Sequence, residues 1–167
     1  SRMPAATATE ARFLLDVPTG AVLPPALAAL PAVAAAAWWW SEIAAAVPTV
    51  FAATQESFVP QMINFEVLGG VNFKKGCYPG QEVVARSQYR GTLKRRAFVF
   101  DSTSAASPAQ EIFHSADREQ PAGMVINAAT WQGRHALLAE VKLAALGAGT
   151  LHLGAPGGPL LTRADMP

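Results

Sequence analysis

The residues best suited to chemistry are Lys75-Gly76-Cys77-Tyr78-Pro79-Gly80-Gln81-Glu82, which hold the only cysteine of the 167-residue chain. A thiol reacts or ligates as its thiolate; the neighbouring Lys74 and Lys75 favour that form and burial opposes it. The sequence leaves open which wins. Gly76 and Gly80 permit backbone angles that other residues resist, so the loop can present a side chain or admit a ligand to the main chain. Gln81 offers an amide donor and acceptor. Glu82 offers an acceptor for loop N–H groups or a ligand amine, and Arg86, four residues on, offers a cation for an anion. A lone cysteine between glycines is as readily structural as reactive, so the wider pattern must decide.

Other chemistries lack their residues. There is no Cys-x-x-Cys, His-Glu-x-x-His, glycine-rich phosphate loop or Gly-x-Ser-x-Gly elbow. His114, His135 and His152 are scattered among apolar strand residues, which points to structural roles. A zinc or iron–sulfur site built by this chain alone lacks ligands, and no metal-binding residue is assigned.

The elements that must position the loop fall into three stretches. Residues 1–57 read as a partial α+β domain: a strand over Arg12–Val17, a helix from Pro24-Pro25 to about Leu30, and a second helix over Trp38–Ala46 stopped by Pro48. Ala32–Ala37 reads equally as a buried strand or as helix. Residues 58–92 form a connecting segment, with a helical turn near Gln61–Leu68, the cysteine loop, and an alternating strand over Glu82–Tyr89 that Arg90-Gly91-Thr92 turns into a hairpin with Leu93–Phe100. Residues 93–167 read as a small antiparallel β-barrel, with strands at Glu111–His114, Gly123–Asn127, His135–Val141, Thr150–Leu153 and Pro159–Leu161. Trp38-Trp39-Trp40 on one helix must leave at least one indole facing outward.

Hydrophobic residues make up 51% of the chain and charged residues 15%, with a formal net charge of +1, so no global field draws nucleic acid or anionic membrane. Charge is uneven: between Gln61 and Phe100, Lys74, Lys75, Arg86, Arg90, Lys94, Arg95 and Arg96 face only Glu66 and Glu82. A single cysteine suits a reducing compartment. The apolar run from Ala26 to Trp40 is broken by Pro31 and falls short of the roughly 18 residues of a membrane span. Acidic residues precede it, unlike a signal peptide. The expectation is a soluble, cytoplasmic protein with no membrane partner.

Phe58-Val59-Pro60-Gln61, Asn64, Gly69-Gly70-Val71-Asn72-Phe73, the cysteine octapeptide, Val83-Val84-Ala85-Arg86, Tyr89-Arg90-Gly91 and Lys94-Arg95 together resemble the YgfZ family. These are folate-binding proteins that support iron–sulfur enzymes and are related to the glycine-cleavage aminomethyltransferase. The likeness spans roughly residues 56–96, with a weaker extension through Trp40–Pro48, where Ala46 stands at a position often held by glycine. The resemblance implies a three-domain α+β protein of which this chain is a C-terminal fragment: part of a ferredoxin-like layer followed by the barrel. It implies tetrahydrofolate as cofactor, with a site incomplete in this chain. Cys77 becomes the functional, catalytic-position cysteine, and Lys75, Gly76, Tyr78, Gly80, Gln81, Glu82 and Arg86 its cofactor-binding neighbours. The implied partners are folate, iron–sulfur enzymes or their assembly proteins, including tRNA-thiolating enzymes, and the missing N-terminal domain. Two alternatives stand beside this: a one-carbon (aminomethyl) transferase using tetrahydrofolate, and an RNA-binding barrel using Arg86, Arg90 and Lys94–Arg96 with Tyr89 and Phe98.

Overall fold

A computed structural model describes residues 2–3, 11–76, 79–89 and 93–165. The C-terminal stretch sets short apolar-rich runs between Gly- and Pro-rich turns, and it closes into a six-stranded antiparallel barrel. Its strands are β3 (Arg95–Ser102), β4 (Glu111–His114), β5 (Gly123–Trp131), β6 (Arg134–Lys142), β7 (Leu151–Leu153) and β8 (Leu160–Arg163). They run in the order β3-β6-β5-β4-β7-β8, and β8 pairs back onto β3. The five strands expected after Glu111 are all present, and β5 and β6 run past their expected ends because they form one long hairpin with Trp131↔Arg134 as its last pair.

The barrel has two cores because its walls are apolar on both sides. Phe100, Ile112, Val125, Leu137, Ala139, Val141 and Leu153 fill the interior. Ala97, Val99, Ile126, Ala136 and Leu138 face outward beneath Ile43, Ala46 and Ile63. Each fully buried Leu or Ile stabilises the fold by about 1.5–3 kcal/mol relative to exposure. A bulge in β5 shifts the register between Val125 and Asn127, which sets Ile126 and Asn127 toward the same outer layer. Asn127 Nδ2 there donates to the Val47 carbonyl at 3.2 Å.

The cover on this outer face is α2 (Ala35–Ala44), which packs chiefly on β5. The ambiguous stretch Ala32–Ala37 thus enters a helix rather than a strand, and α2 begins earlier than Trp38. It ends in a Schellman turn: Val47 N–H donates to Glu42 C=O, Ala46 N–H to Ile43 C=O, and Ala46 adopts φ 52°. Upstream, β1 (Arg2–Met3) pairs antiparallel with β2 (Arg12–Phe13), and α1 spans Pro25–Ala28. The strand expected over Arg12–Val17 is only two residues long, Arg12–Phe13. β2 is tied to α2 through Arg12. Its Nη1 donates to Glu42 Oε1 at 2.7 Å and Ser41 Oγ at 2.9 Å, and its guanidinium lies 5.3 Å from the Trp38 ring centre. Trp40 carries Arg134 at 5.2 Å and Trp39 meets Phe51 at 5.9 Å; Trp39 is the most exposed indole of the three.

One expected element is corrected. Glu82–Tyr89 is not a strand; residues Gln81–Tyr89 form α3. β3 pairs along its whole length with β6 and over Phe100–Ser102 with β8, and its Ala97 carbonyl is taken by Asn64 Nδ2 rather than by a strand. Arg90, Gly91 and Thr92, the expected hairpin turn, lie outside the described residues. Glu82 in the first turn of α3 and Arg86 in the last suit the helix dipole. No helix among the described residues is long and apolar enough to cross a membrane.

Candidate functional site

The cysteine loop is held between a tight turn and a short helix. Leu68-Gly69-Gly70 leads into it, and a Cβ on Gly70 would lie 2.5 Å from the Phe65 ring, so this close approach requires glycine. Asn72 Oδ1 then accepts the Lys74 N–H at 2.8 Å, which turns the exposed chain toward Lys75 and Gly76. Cys77 and Tyr78 lie outside the described residues. Pro79-Gly80 follows, Gly80 with φ 80°, and its carbonyl accepts the Val83 N–H at the start of α3.

The predicted site residues therefore divide. Lys75 and Gly76 stand on the exposed approach, and Gly80, Gln81, Glu82 and Arg86 on the exit turn and α3. Arg86 is a helical rather than a strand residue. Because α3 is a helix, Glu82 and Arg86 share one face at a four-residue spacing. Both are exposed, and neither forms an ion pair among the described residues. A cleft of roughly 310 Å³ opens beside the approach, lined by Pro60, Phe65, Gly69, Gly70, Asn72 and Lys75 among others. It offers an aromatic wall and a cationic rim.

The loop is anchored by residues whose role the spacing alone did not reveal. Pro60–Ile63 forms a 3-10 turn in which Gln61 is fully buried. Gln61 Nε2 donates to the Val84 carbonyl of α3 at 2.8 Å, and its Oε1 has no hydrogen-bond partner among the described residues. Asn64 ends the turn in the left-handed region at φ 58° and reaches the barrel: its Nδ2 donates to the Ala97 carbonyl at 2.8 Å, and its Oδ1 accepts from Arg96 Nη1 at 3.0 Å. Arg96 also pairs with Glu66. Residues 60–66 thus join β3 to the helix that leaves the cysteine loop. Pro60-Gln61 and Asn64 stand in the same stretch of sequence as the octapeptide, but which groups they bond is visible only in the fold.

Elsewhere, the three histidines make bonds within the barrel. His114 Nε2 lies 2.6 Å from the Ala148 carbonyl oxygen, His135 Nδ1 2.8 Å from Thr130 Oγ1, and His152 Nδ1 2.8 Å from the Gly158 carbonyl oxygen. Among the described residues no cluster of three or more His, Cys, Asp or Glu is placed to hold a metal. Phe98, considered as a stacking platform for RNA, packs against the barrel interior and carries the Arg163 guanidinium 4.4 Å from its ring centre. No protein-family model matches the chain.

Proposed function

We propose that this protein is a tetrahydrofolate-linked accessory factor for the assembly or repair of iron–sulfur enzymes, including tRNA-thiolating ones. The observation that carries the reading is the Gln61–Val84 bond. It brings together two separated pieces of one sequence pattern, Pro60-Gln61 and the helix following Lys-Gly-Cys-Tyr-Pro-Gly-Gln-Glu. A buried side chain spent on fixing α3 is what a loop that must present Cys77 in a fixed place requires.

The residues fit tetrahydrofolate as one wall of its site. Phe65 and Val71 give an apolar surface, Asn72 a polar edge, and Lys75 a cation suited to a carboxylate tail. When bound, the cofactor supplies one-carbon chemistry. In this reading Gly76 and Gly80 let it approach the main chain, and Gln81, Glu82 and Arg86 orient its polar groups. Tyr78 belongs to the same cofactor-binding set, and Cys77 supplies the reactive thiol. The other wall belongs to an N-terminal domain of the same protein, completing the ferredoxin-like layer begun by β1, β2, α1 and α2. The exposed apolar residues Phe13, Leu15, Val22 and Val33 support that contact. The protein acts in the cytoplasm.

The test is Cys77→Ser in a cell dependent on this protein, read as the activity of an iron–sulfur enzyme. Loss of activity with normal protein level is expected; unchanged activity overturns the role of the thiol. A turnover assay with an aminomethyl donor and tetrahydrofolate separates the accessory factor from a transferase, and robust product formation rejects the accessory reading.

A further inference from the structure

A second cleft opens where the residues covering the barrel wall give out, and it shares no lining residue with the one beside Lys75. It measures roughly 540 Å³ and opens between the segment carrying Phe58 and Met62 and the ends of β3, β5 and β6. The outward row of β6 runs Ala136, Leu138, Glu140, Lys142. The first two residues are roofed by α2, and an apolar residue at 140 would continue the stripe. Instead Glu140 is buried to 2% exposure with Arg95 beside it, Arg95 Nη1 donating to Oε1 at 2.9 Å and to Oε2 at 2.7 Å. A buried ion pair does little for net stability compared with well-packed apolar side chains. Here the pair has a geometric consequence: it fixes the guanidinium.

Arg95 makes no other hydrogen bond among the described residues, so Nε and Nη2 remain available, and its side chain is 31% exposed. Lys142 is its direct cross-strand partner and so lies on the same face. Lys142 forms no ion pair among the described residues. The facing walls are apolar: Phe58, Met62, Pro121 and Met124, the last directly opposite Glu140 across the β5–β6 pair. Glu111, opposite Met124 on β4, stands at the exposed rim. We propose that this cleft is a second binding site, distinct from the cysteine loop, for a small monocarboxylate on a flat apolar body, its carboxylate received by Arg95 and Lys142 and its body by Phe58, Met62 and Met124. Arg95 and Lys142 are balanced by Glu140 and Glu111, so the site works through directed N–H groups rather than net charge. That favours one negative charge over the two of a phosphate monoester. The inference does not rest on the folate reading.

The test is a titration of the ¹⁵N-labelled chain with 2-naphthoate, with the uncharged 2-naphthalenemethanol, and with inorganic phosphate, following amide shifts. Expected are saturable shifts at Arg95, Met124 and Lys142 with naphthoate. Binding of the alcohol should be weaker by about fivefold or more, the loss of a charge-assisted contact, and phosphate should give no saturation. Lys142→Met should weaken naphthoate but not the alcohol. Arg95→Met alone would strand Glu140, so the second variant is the triple Arg95→Met/Glu140→Met/Lys142→Met, which keeps the wall and should abolish the preference for the acid. Absence of saturable shifts at these amides overturns the proposal. So does equal binding of acid and alcohol, saturable phosphate binding, or acid preference that survives both variants.

Discussion

Replacing Gln61 with methionine separates what holds the fold from what holds the loop. The two side chains are close in length and volume, so the buried space stays filled. The variant loses the Nε2–Val84 bond, about 1 kcal/mol. It also removes Oε1, which is buried with no partner among the described residues, and burying such a group costs about 1–3 kcal/mol. Global stability should therefore move by less than about 1.5 kcal/mol in either direction. Locally the balance differs: α3 has one buried apolar residue, Val84, among its described side chains, and Gln61 is its buried polar tie. Losing about 1 kcal/mol from that tie should speed amide exchange at Ala85 and Arg86 by about fivefold. Urea denaturation reads the first quantity and hydrogen exchange under native conditions the second. A global loss above about 3 kcal/mol, or unchanged exchange in α3, would refute the assignment of Gln61 as the loop's positioning residue.

Other expectations follow from the same contacts. Glu42→Ala removes the carboxylate that pairs with the buried Arg12 guanidinium, 8% exposed, and should cost about 3–5 kcal/mol in urea; a loss under about 1 kcal/mol would mean that the remaining contacts of Arg12 suffice to hold it. Burial pushes the Glu140 carboxyl above its ordinary range, outweighing the opposing pull of Arg95. The folded state then holds the Glu140 proton more tightly than the unfolded chain, so this group adds stability as pH falls from its raised folded value toward the ordinary glutamate value, and its charged form is penalised above that window. Relative to Glu140→Gln, the parent protein should gain stability on that descent, and a flat or opposite difference in paired urea titrations rejects it. Ala46→Gly relieves about 1 kcal/mol of left-handed strain but gives up a buried methyl and frees the unfolded chain, each about 1 kcal/mol. The urea midpoint should fall slightly, and a rise would show that the strain dominates.

The barrel was legible because its strands are short apolar-rich runs set between Gly- and Pro-rich turns, as at Thr150–Leu153 between Gly149 and Gly154. α3 was not. Val83, Val84 and Ala85 satisfy a two-residue and a 3.6-residue period equally over so short a stretch. What distinguishes them is distant in sequence: the buried Gln61 side chain, which meets the Val84 carbonyl of α3. The glycines around the loop announced turns, and Gly80 with its positive φ is one. The anchoring by Gln61 and Asn64 crosses from the connecting segment to α3 and β3, and nothing in their spacing encodes which carbonyl each will meet. Glu140 left a mark that went unread: an acid set in the Ala136–Leu138 stripe of a strand buried on both faces.

The barrel's closure has a consequence for how the chain comes into being. Its seam joins β3, the first strand made, to β8, the last, through Phe100↔Arg163, Asp101↔Thr162 and Ser102↔Leu161. During synthesis β3 carries Phe98, Val99 and Phe100 with neither neighbour yet made, since β6 and β8 both emerge later. Such long-range pairing is slow and leaves apolar edges open to other chains. A ribosome that stops before Leu160 releases a five-stranded sheet with two bare edges, β3 and β7, so translational completeness is itself a solubility checkpoint for this protein.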